Sequence, residues 1–592
     1  MKRSEVNIND TWDLTKIFKT DEDFYSALEN FKNVETQEAA KWKGLLSKDK
    51  ENLLKGFEWM READLKLESL FGYAQLKSSE DSSNVENQKM ISQVSSVYAI
   101  YLSQLSYWDT EILSLDNQTL EDYIADPDFS DISVTLSRLK RQKEHILSEK
   151  EEKILAAQME VGGKASKIFS DLTNVDFKFG EVNGKALTQS TFSIFLKDKD
   201  ESVRRQAYNQ LYQVYADHQF TLANVYETSI RQDIFSSKVR GYKSTRERKL
   251  FGDNVAEEVY DNLIEEVHKG LPTLHRYYKL RAKLMGKEKI HHYDVYTSLV
   301  DGYEAHHTYE EAVELISNAI KPLGSEYRDT LIKGLTSERW VDRYENDGKR
   351  SGAFSSGTYT SDPYILMNYN EESLRDIFTL IHEGGHSMHS HYSNLNNNYF
   401  NANYTIFEAE VASTFNEQLL ATYLLEQSKD NREKAYILGK QIDDVLATLF
   451  RQTMFAEYEH KMHVLAEEGK PITLDIMRGE YKKLLELYFG ENVILEENSD
   501  LEGLRIPHFY SSYYVYKYAT GISAAIALSR KVLNGDEEDL NQYMSFLKSG
   551  GSKFPIDTLK MAGVDMRSPQ PIDNAIKHFK NMLDEFESIV TN

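Results

Sequence analysis

Five consecutive residues, His382-Glu383-Gly384-Gly385-His386, concentrate two imidazoles and a carboxylate in little more than one helical turn. On a helix, two histidines at i and i+4 lie one above the other on the same face. Their ring nitrogens can then bind a single Zn²⁺ at about 2.0–2.1 Å. Glu383 sits about 100° further around the helix. It is badly placed to ligate the same ion, but it can reach a water on that ion. This is the geometry a general base needs. The ion supplies the other half of the chemistry, because it lowers the pKa of its water from about 15.7 towards ~7 and polarises a carbonyl.

The motif needs a helix to carry it. Leu374, Ile377, Phe378 and Ile381 form an apolar stripe at helical spacing. His382 follows Phe378 at i+4, so the histidine face points inward. Asn370 reads as the N-cap, with Glu371 and Glu372 in the first turn, where the helix dipole favours acids. Gly384 and Gly385 each cost about 1 kcal/mol against Ala inside a helix. Two such costs side by side imply that something approaches the backbone closely.

Zinc also needs a third protein ligand and an open position. The HExxHxxGxxH pattern would supply a third His. Here its Gly position is His389 and its His position is Tyr392, so that pattern fails. The following helical stretch, 405–425, offers Glu408, Glu410 and Glu417. Glu410 and Glu417 are seven apart and share a face, whereas Glu408 points elsewhere. Ile406, Phe407, Val411, Phe415 and Leu419 mark the inward side. Periodicity favours Glu410 or Glu417 and does not separate them.

The rest of the chain must fold around this motif. Its 592 residues can bury a large core without covalent staples. Cys is absent, which excludes disulfides, thiolate metal sites and a cysteine nucleophile. The formal net charge is −25, a poor match to nucleic acid or anionic membranes. Most segments carry helical periodicity, including 50–113 with a polar break at 78–84. An alternating stretch at 175–179 followed by Asn183-Gly184 reads as a β-hairpin with a type I′ turn. A second strand-like region spans 350–370, with an apolar run at 364–369. The expected fold class is therefore mainly α with a small β region beside the HExxH helix. A boundary is expected near residue 200. It separates an N-terminal helical domain with the hairpin, 1–200, from a catalytic domain, 201–592. No secretory signal and no apolar run of about 18 residues is found, so a cytoplasmic protein with no membrane partner is expected.

Three separated motifs occur in order: HEGGHSMHS, FEAEVASTFNE and IPHFYSSYYVYKYATG. Together with the tail GGSKFPIDTLKMAGVDM they resemble oligoendopeptidase F, of the thimet-oligopeptidase-like zinc metallopeptidases. The likeness is strongest between about Arg350 and Met566. It implies a helical ellipsoid split by a deep substrate channel with one zinc ion at its floor. It implies His382, His386 and Glu410 as the metal ligands, with Glu417 a candidate supporting residue behind them. It implies a downstream cluster, His508, Tyr513, Tyr514 and Tyr516, that hydrogen-bonds substrate and the tetrahedral intermediate. His508 and Tyr516 are assigned with Glu383 to catalysis, and Tyr513 and Tyr514 to substrate binding. Which tyrosine contacts the oxyanion stays open. The segment 352–359 (GAFSSGTY), beginning at Gly352, matches the family's edge strand that pairs with the peptide main chain. The implied activity is hydrolysis of internal bonds in short, unfolded peptides. The rivals are a peptidyl-dipeptidase of the same class and a non-catalytic helical peptide-binding protein.

Other histidines are weaker candidates. His460 and His463, with Glu457 and Glu459, make an HxxH on a charged helix with no base placed. His291-His292 and His306-His307 are adjacent pairs whose side chains do not share a helix face. All three read as structural.

Overall fold

The computed structural model describes residues 1–300 and 306–591. It is mainly helical, as the periodicity predicts. The long polar break at 78–84 separates helices Lys50–Glu80 and Val85–Gln104. Asp49 and Asn84 cap them by accepting from backbone N–H groups of the first turn.

Strands among the described residues are short. β1 (Glu181–Val182) and β2 (Lys185–Ala186) form an antiparallel pair, and β3 (Ile290–His291) runs parallel to β7 (Val493–Ile494). A three-stranded sheet contains β4 (Val341–Asp342), β5 (Phe354–Ser356) and β6 (Tyr364–Leu366), in the order β4-β6-β5. β5 is antiparallel to β6, with Ser355 opposite Ile365.

The hairpin turn falls where Asn183-Gly184 places it, with φ of +51° and +72°. The stretch 175–179 is not a strand. Residues Leu172–Asp176 form a π turn, and Phe177 and Phe179 both pack on Tyr215. Alternation there records two aromatic anchors, not a ladder. Asn370 is not the N-cap of the HExxH helix, which begins at Leu374 with Ser373 at the cap. Asn370 instead closes a short turn by accepting from the Glu372 N–H.

Contacts divide the chain into two compact units, each assembled from three stretches. The first is Met1–Glu144, Glu304–Leu424 and Leu528–Val564; the second is His145–Tyr303, Leu425–Ala527 and Asp565–Asn592. In the first unit, the β4-β6-β5 sheet is fixed from below. Tyr364 and Leu366 of β6 are buried in the apolar cluster built on Lys50–Glu80, with Trp12 and Phe354 beside them. The loop between β4 and β5 is closed by Lys349, whose buried ammonium pairs with Asp342 at 2.6 Å and donates to the Tyr344 carbonyl. This sheet lies against the HExxH helix, where Ser355 of β5 meets Ser387.

Candidate metal centre

The helix Leu374–Asn396 carries HEGGH, and its predicted stripe is buried: Leu374, Ile377, Phe378 and Ile381 are all nearly inaccessible. The second helix runs Ile406–Gln427. Phe407, Val411, Phe415 and Leu419 are buried, whereas Ile406, at the helix start, is 41% exposed. The two helices meet at Gly385. A Cβ on Gly385 would lie 2.7 Å from Ser413 Cα and 2.8 Å from the Ala412 carbonyl oxygen. Only a residue without Cβ admits the second backbone so close. A Cβ on Gly384 would meet Leu331 at 3.2 Å. Gly385 thus lets a neighbouring helix bring its acids within reach of the histidines, while Gly384 makes room for Leu331 of another helix.

Donor atoms of His382, His386 and Glu410 all lie within 4.8 Å of one another. His382 Nε2 and Glu410 Oε2 are 3.7 Å apart. Ligands of a tetrahedral ion with bonds of about 2.0–2.1 Å stand roughly 3.4 Å apart. The donor set and its spacing therefore fit one zinc ion. The other nitrogen of the same ring, His382 Nδ1, lies 2.5 Å from Glu417 Oε1. Glu410 and Glu417, which share a helix face, thus approach the two nitrogens of one imidazole. The Nδ1–H to carboxylate bond fixes the tautomer and presents Nε2. Glu408 points away and accepts from Thr405.

The electrostatics follow from this packing. Burial alone would lower the pKa of His382, but the hydrogen bond and charge of Glu417, with Glu383 and Glu410 behind it, raise it to about 9. A cation at Nε2 would replace that proton, so binding would release one. Burial pushes His386 down to about 3, keeping it neutral, against a small upward pull from the nearby Ala409 carbonyl. Burial pushes Glu383 up to about 6, against the pull of His382. Glu410 is also raised by burial.

Some participants had no signal in the sequence. The Ser355 N–H on β5 lies near enough to the Glu383 carboxylate to favour its charge, and Ser355 Oγ is 2.8 Å from Ser387 Oγ. These contacts tie the strand to the helix one residue after the second histidine. Backbone partners such as Ser355 N–H and the Ala409 carbonyl carry no residue-type signature. Gly352, two residues before β5, has φ +84°, and its carbonyl accepts from Asn368.

The His508 group lies in the second unit, and the five residues above lie in the first. Within it, His508 is part of the short turn Pro507–Tyr510 and stacks on Tyr514, both partly exposed. Tyr513 and Tyr516 are buried and flank Tyr260, at ring distances of 5.5 and 5.3 Å. Tyr513 has φ +56°, a strained value for a non-glycine. Its N–H donates to buried Glu459 at 2.8 Å, and its hydroxyl meets His460 Nδ1 at 3.0 Å.

An HExxH helix completed by a Glu from a second helix, in a mainly helical chain, is the arrangement of a metallopeptidase. The comparisons give the family. Residues 194–578 match peptidase family M3, and residues 111–179 match the description Oligopeptidase F. The chain belongs to peptidase family M3. It is 42% identical to the oligoendopeptidase F homolog of Borreliella burgdorferi, over 100% of both chains. It is 41% identical to oligopeptidase PepF of Bacillus subtilis, over 99% of this chain and 88% of that one. The crystal structure of oligoendopeptidase-F from Enterococcus faecium superposes with a TM-score of 0.74 and 33% identity, covering 97% of this chain and 99% of that one. None of the described helices is long and apolar enough to cross a membrane.

Proposed function

We propose that this protein is a zinc-dependent oligoendopeptidase that hydrolyses internal bonds of short, unfolded peptides. The observation that carries this is the meeting of His382, His386 and Glu410 beside a buried Glu383. A zinc ion bound by these three would supply Lewis acidity, making a water more acidic and polarising the scissile carbonyl. Glu383 takes a proton from the attacking water and returns it to the leaving amine. A carboxyl whose pKa is pushed up to about 6 is suited to both steps near neutrality. Glu417 holds His382 in the ligating tautomer. His508 and Tyr516 are assigned to the oxyanion, and Tyr513 and Tyr514 to substrate. What supports their role is the match to the family's tyrosine-rich motif.

β5 is the open end of its sheet, and the Ser355 N–H stands near the proposed base. A peptide strand added along the segment that begins at Gly352 would therefore lie over Glu383. A division near residue 200 is retained, supported by family matches that end at 179 and resume at 194. A cytoplasmic location is retained too, supported by the absence of Cys.

The test is hydrolysis of an internally quenched decapeptide by wild type and Glu383→Gln, with zinc and product masses measured. Wild type should make internal cuts. Glu383→Gln should keep zinc and lose at least about 100-fold in kcat. Release of C-terminal dipeptides alone would instead mark a peptidyl-dipeptidase. No turnover by zinc-loaded wild type would mark a peptide-binding protein.

A further inference from the structure

The first unit holds a cavity of about 1000 Å³ that begins where β5 ends. Ser356, Gly357 and Thr358 form part of its wall. Ser355, one residue earlier, meets Ser387 of the HExxH helix at 2.8 Å, with its N–H near Glu383. An extended peptide advances about 3.3 Å per residue. A chain laid along this strand, with its reacting bond beside Glu383, therefore passes the cavity within two or three residues.

The cavity has a definite chemistry. Phe71, Tyr98, Tyr399 and Phe400 supply aromatic walls. Asp64 and Glu68 stand at i and i+4 on Lys50–Glu80 and both line it, with Asp109 as a third carboxylate. Asp64 accepts from the Tyr101 hydroxyl at 2.9 Å. Glu68 accepts from the Tyr399 hydroxyl at 3.1 Å and the Tyr359 N–H at 3.2 Å. Among the described residues no Lys or Arg pairs with either. The single basic residue in the lining, Arg138, spends its guanidinium on the Gly551 and Lys553 carbonyls. Two neighbouring, half-buried carboxylates with neutral donors only are short of a cation. Burial and the nearness of Glu68 hold Asp64 up at about 6 for want of one. Aromatic faces beside them favour a cation with an apolar stem.

We propose that this cavity is a specificity pocket for a Lys or Arg side chain of the peptide substrate, two or three residues from the cleaved bond. It rests on the peptidase reading above. The ammonium or guanidinium is held by Asp64 and Glu68, and the stem packs on the aromatic wall.

The test uses end-capped, internally quenched peptides in which Lys or norleucine is placed in turn at each position flanking the cut. End caps remove the terminal ammonium as a source of the cation. Wild type should favour Lys over norleucine at one such position by about 10-fold or more in kcat/KM. That ratio should shrink with added salt and fall to about 1 in Asp64→Asn/Glu68→Gln. A flat scan, or a preference that survives in the double variant, would overturn the pocket. Binding of the same labelled peptides to Glu383→Gln, read by fluorescence anisotropy, separates the two levels. A Lys preference in binding without hydrolysis by wild type would keep the pocket and remove the peptidase reading. Hydrolysis with no Lys preference would do the reverse.

Discussion

Two helices in this protein each carry a close pair of histidines with glutamates nearby, and they use them differently. In Leu374–Asn396 the side chains of His382 and His386 converge with Glu410 from a second helix. In Arg451–Glu467 the corresponding groups are dispersed. His460 Nδ1 meets the Tyr513 hydroxyl, and His463 Nδ1 bonds the Glu459 carbonyl one turn back. Glu457 is taken by His268 and Tyr488, and Glu459 by the Tyr513 N–H. Among the described residues, the first group is the one set of three or more ligating side chains that gathers at a point. The difference lies in the neighbour. Gly385 admits a second helix close enough to deliver a carboxylate, whereas the groups around the second pair are each taken up by different partners.

Loss of the proposed base, in Glu383→Gln, should have the largest effect on turnover, since general-base proton transfer is worth about 10²–10⁴-fold. Measured beside it, Glu459→Gln should retain most of the activity. Equal losses would erase the distinction between the two helices. Glu417→Ala should weaken zinc about 10–100-fold in a chelator competition, because His382 loses the partner that sets its tautomer. An unchanged affinity would make Glu417 a bystander. Gly385→Ala should cost about 1–3 kcal/mol in denaturant unfolding and lower zinc affinity, as the second helix is pushed back. Gly479→Ala, in open space on a helix, should not destabilise.

The last prediction concerns the dispersed pair. Burial raises the Glu459 carboxyl to about 8. The folded state thus keeps a proton that the unfolded chain releases near pH 4.5. Its contribution is fully present below about pH 4.5 and declines as pH rises to about 8. Thermal melts of Glu459→Gln should therefore lose less stability than wild type between pH 5 and pH 8. A steeper loss in the variant would contradict the assignment.

Much of this site was legible in the residues. The i, i+4 histidines, the inward stripe and the cost of two adjacent glycines together announced a helix with a close neighbour. The close approach at Gly385 is that neighbour. Seven-residue spacing put Glu410 and Glu417 on one face, but periodicity could not say which nitrogen each would meet, because that depends on how the two helices meet. The hairpin was legible only at its turn, since Asn-Gly encodes φ, whereas the aromatic alternation at 175–179 answers to Tyr215, far away in sequence. Asn370 capped a turn because a cap residue reports a local bend, whether or not a helix follows at once. β4 was missed because a two-residue strand leaves no pattern.

The most direct measurement is zinc stoichiometry after exhaustive dialysis of wild type, Glu410→Ala and His463→Ala. One zinc per chain should remain in wild type and His463→Ala, and Glu410→Ala should hold close to none. Full zinc in Glu410→Ala, or loss of zinc in His463→Ala, would contradict the convergence of His382, His386 and Glu410 as the metal centre.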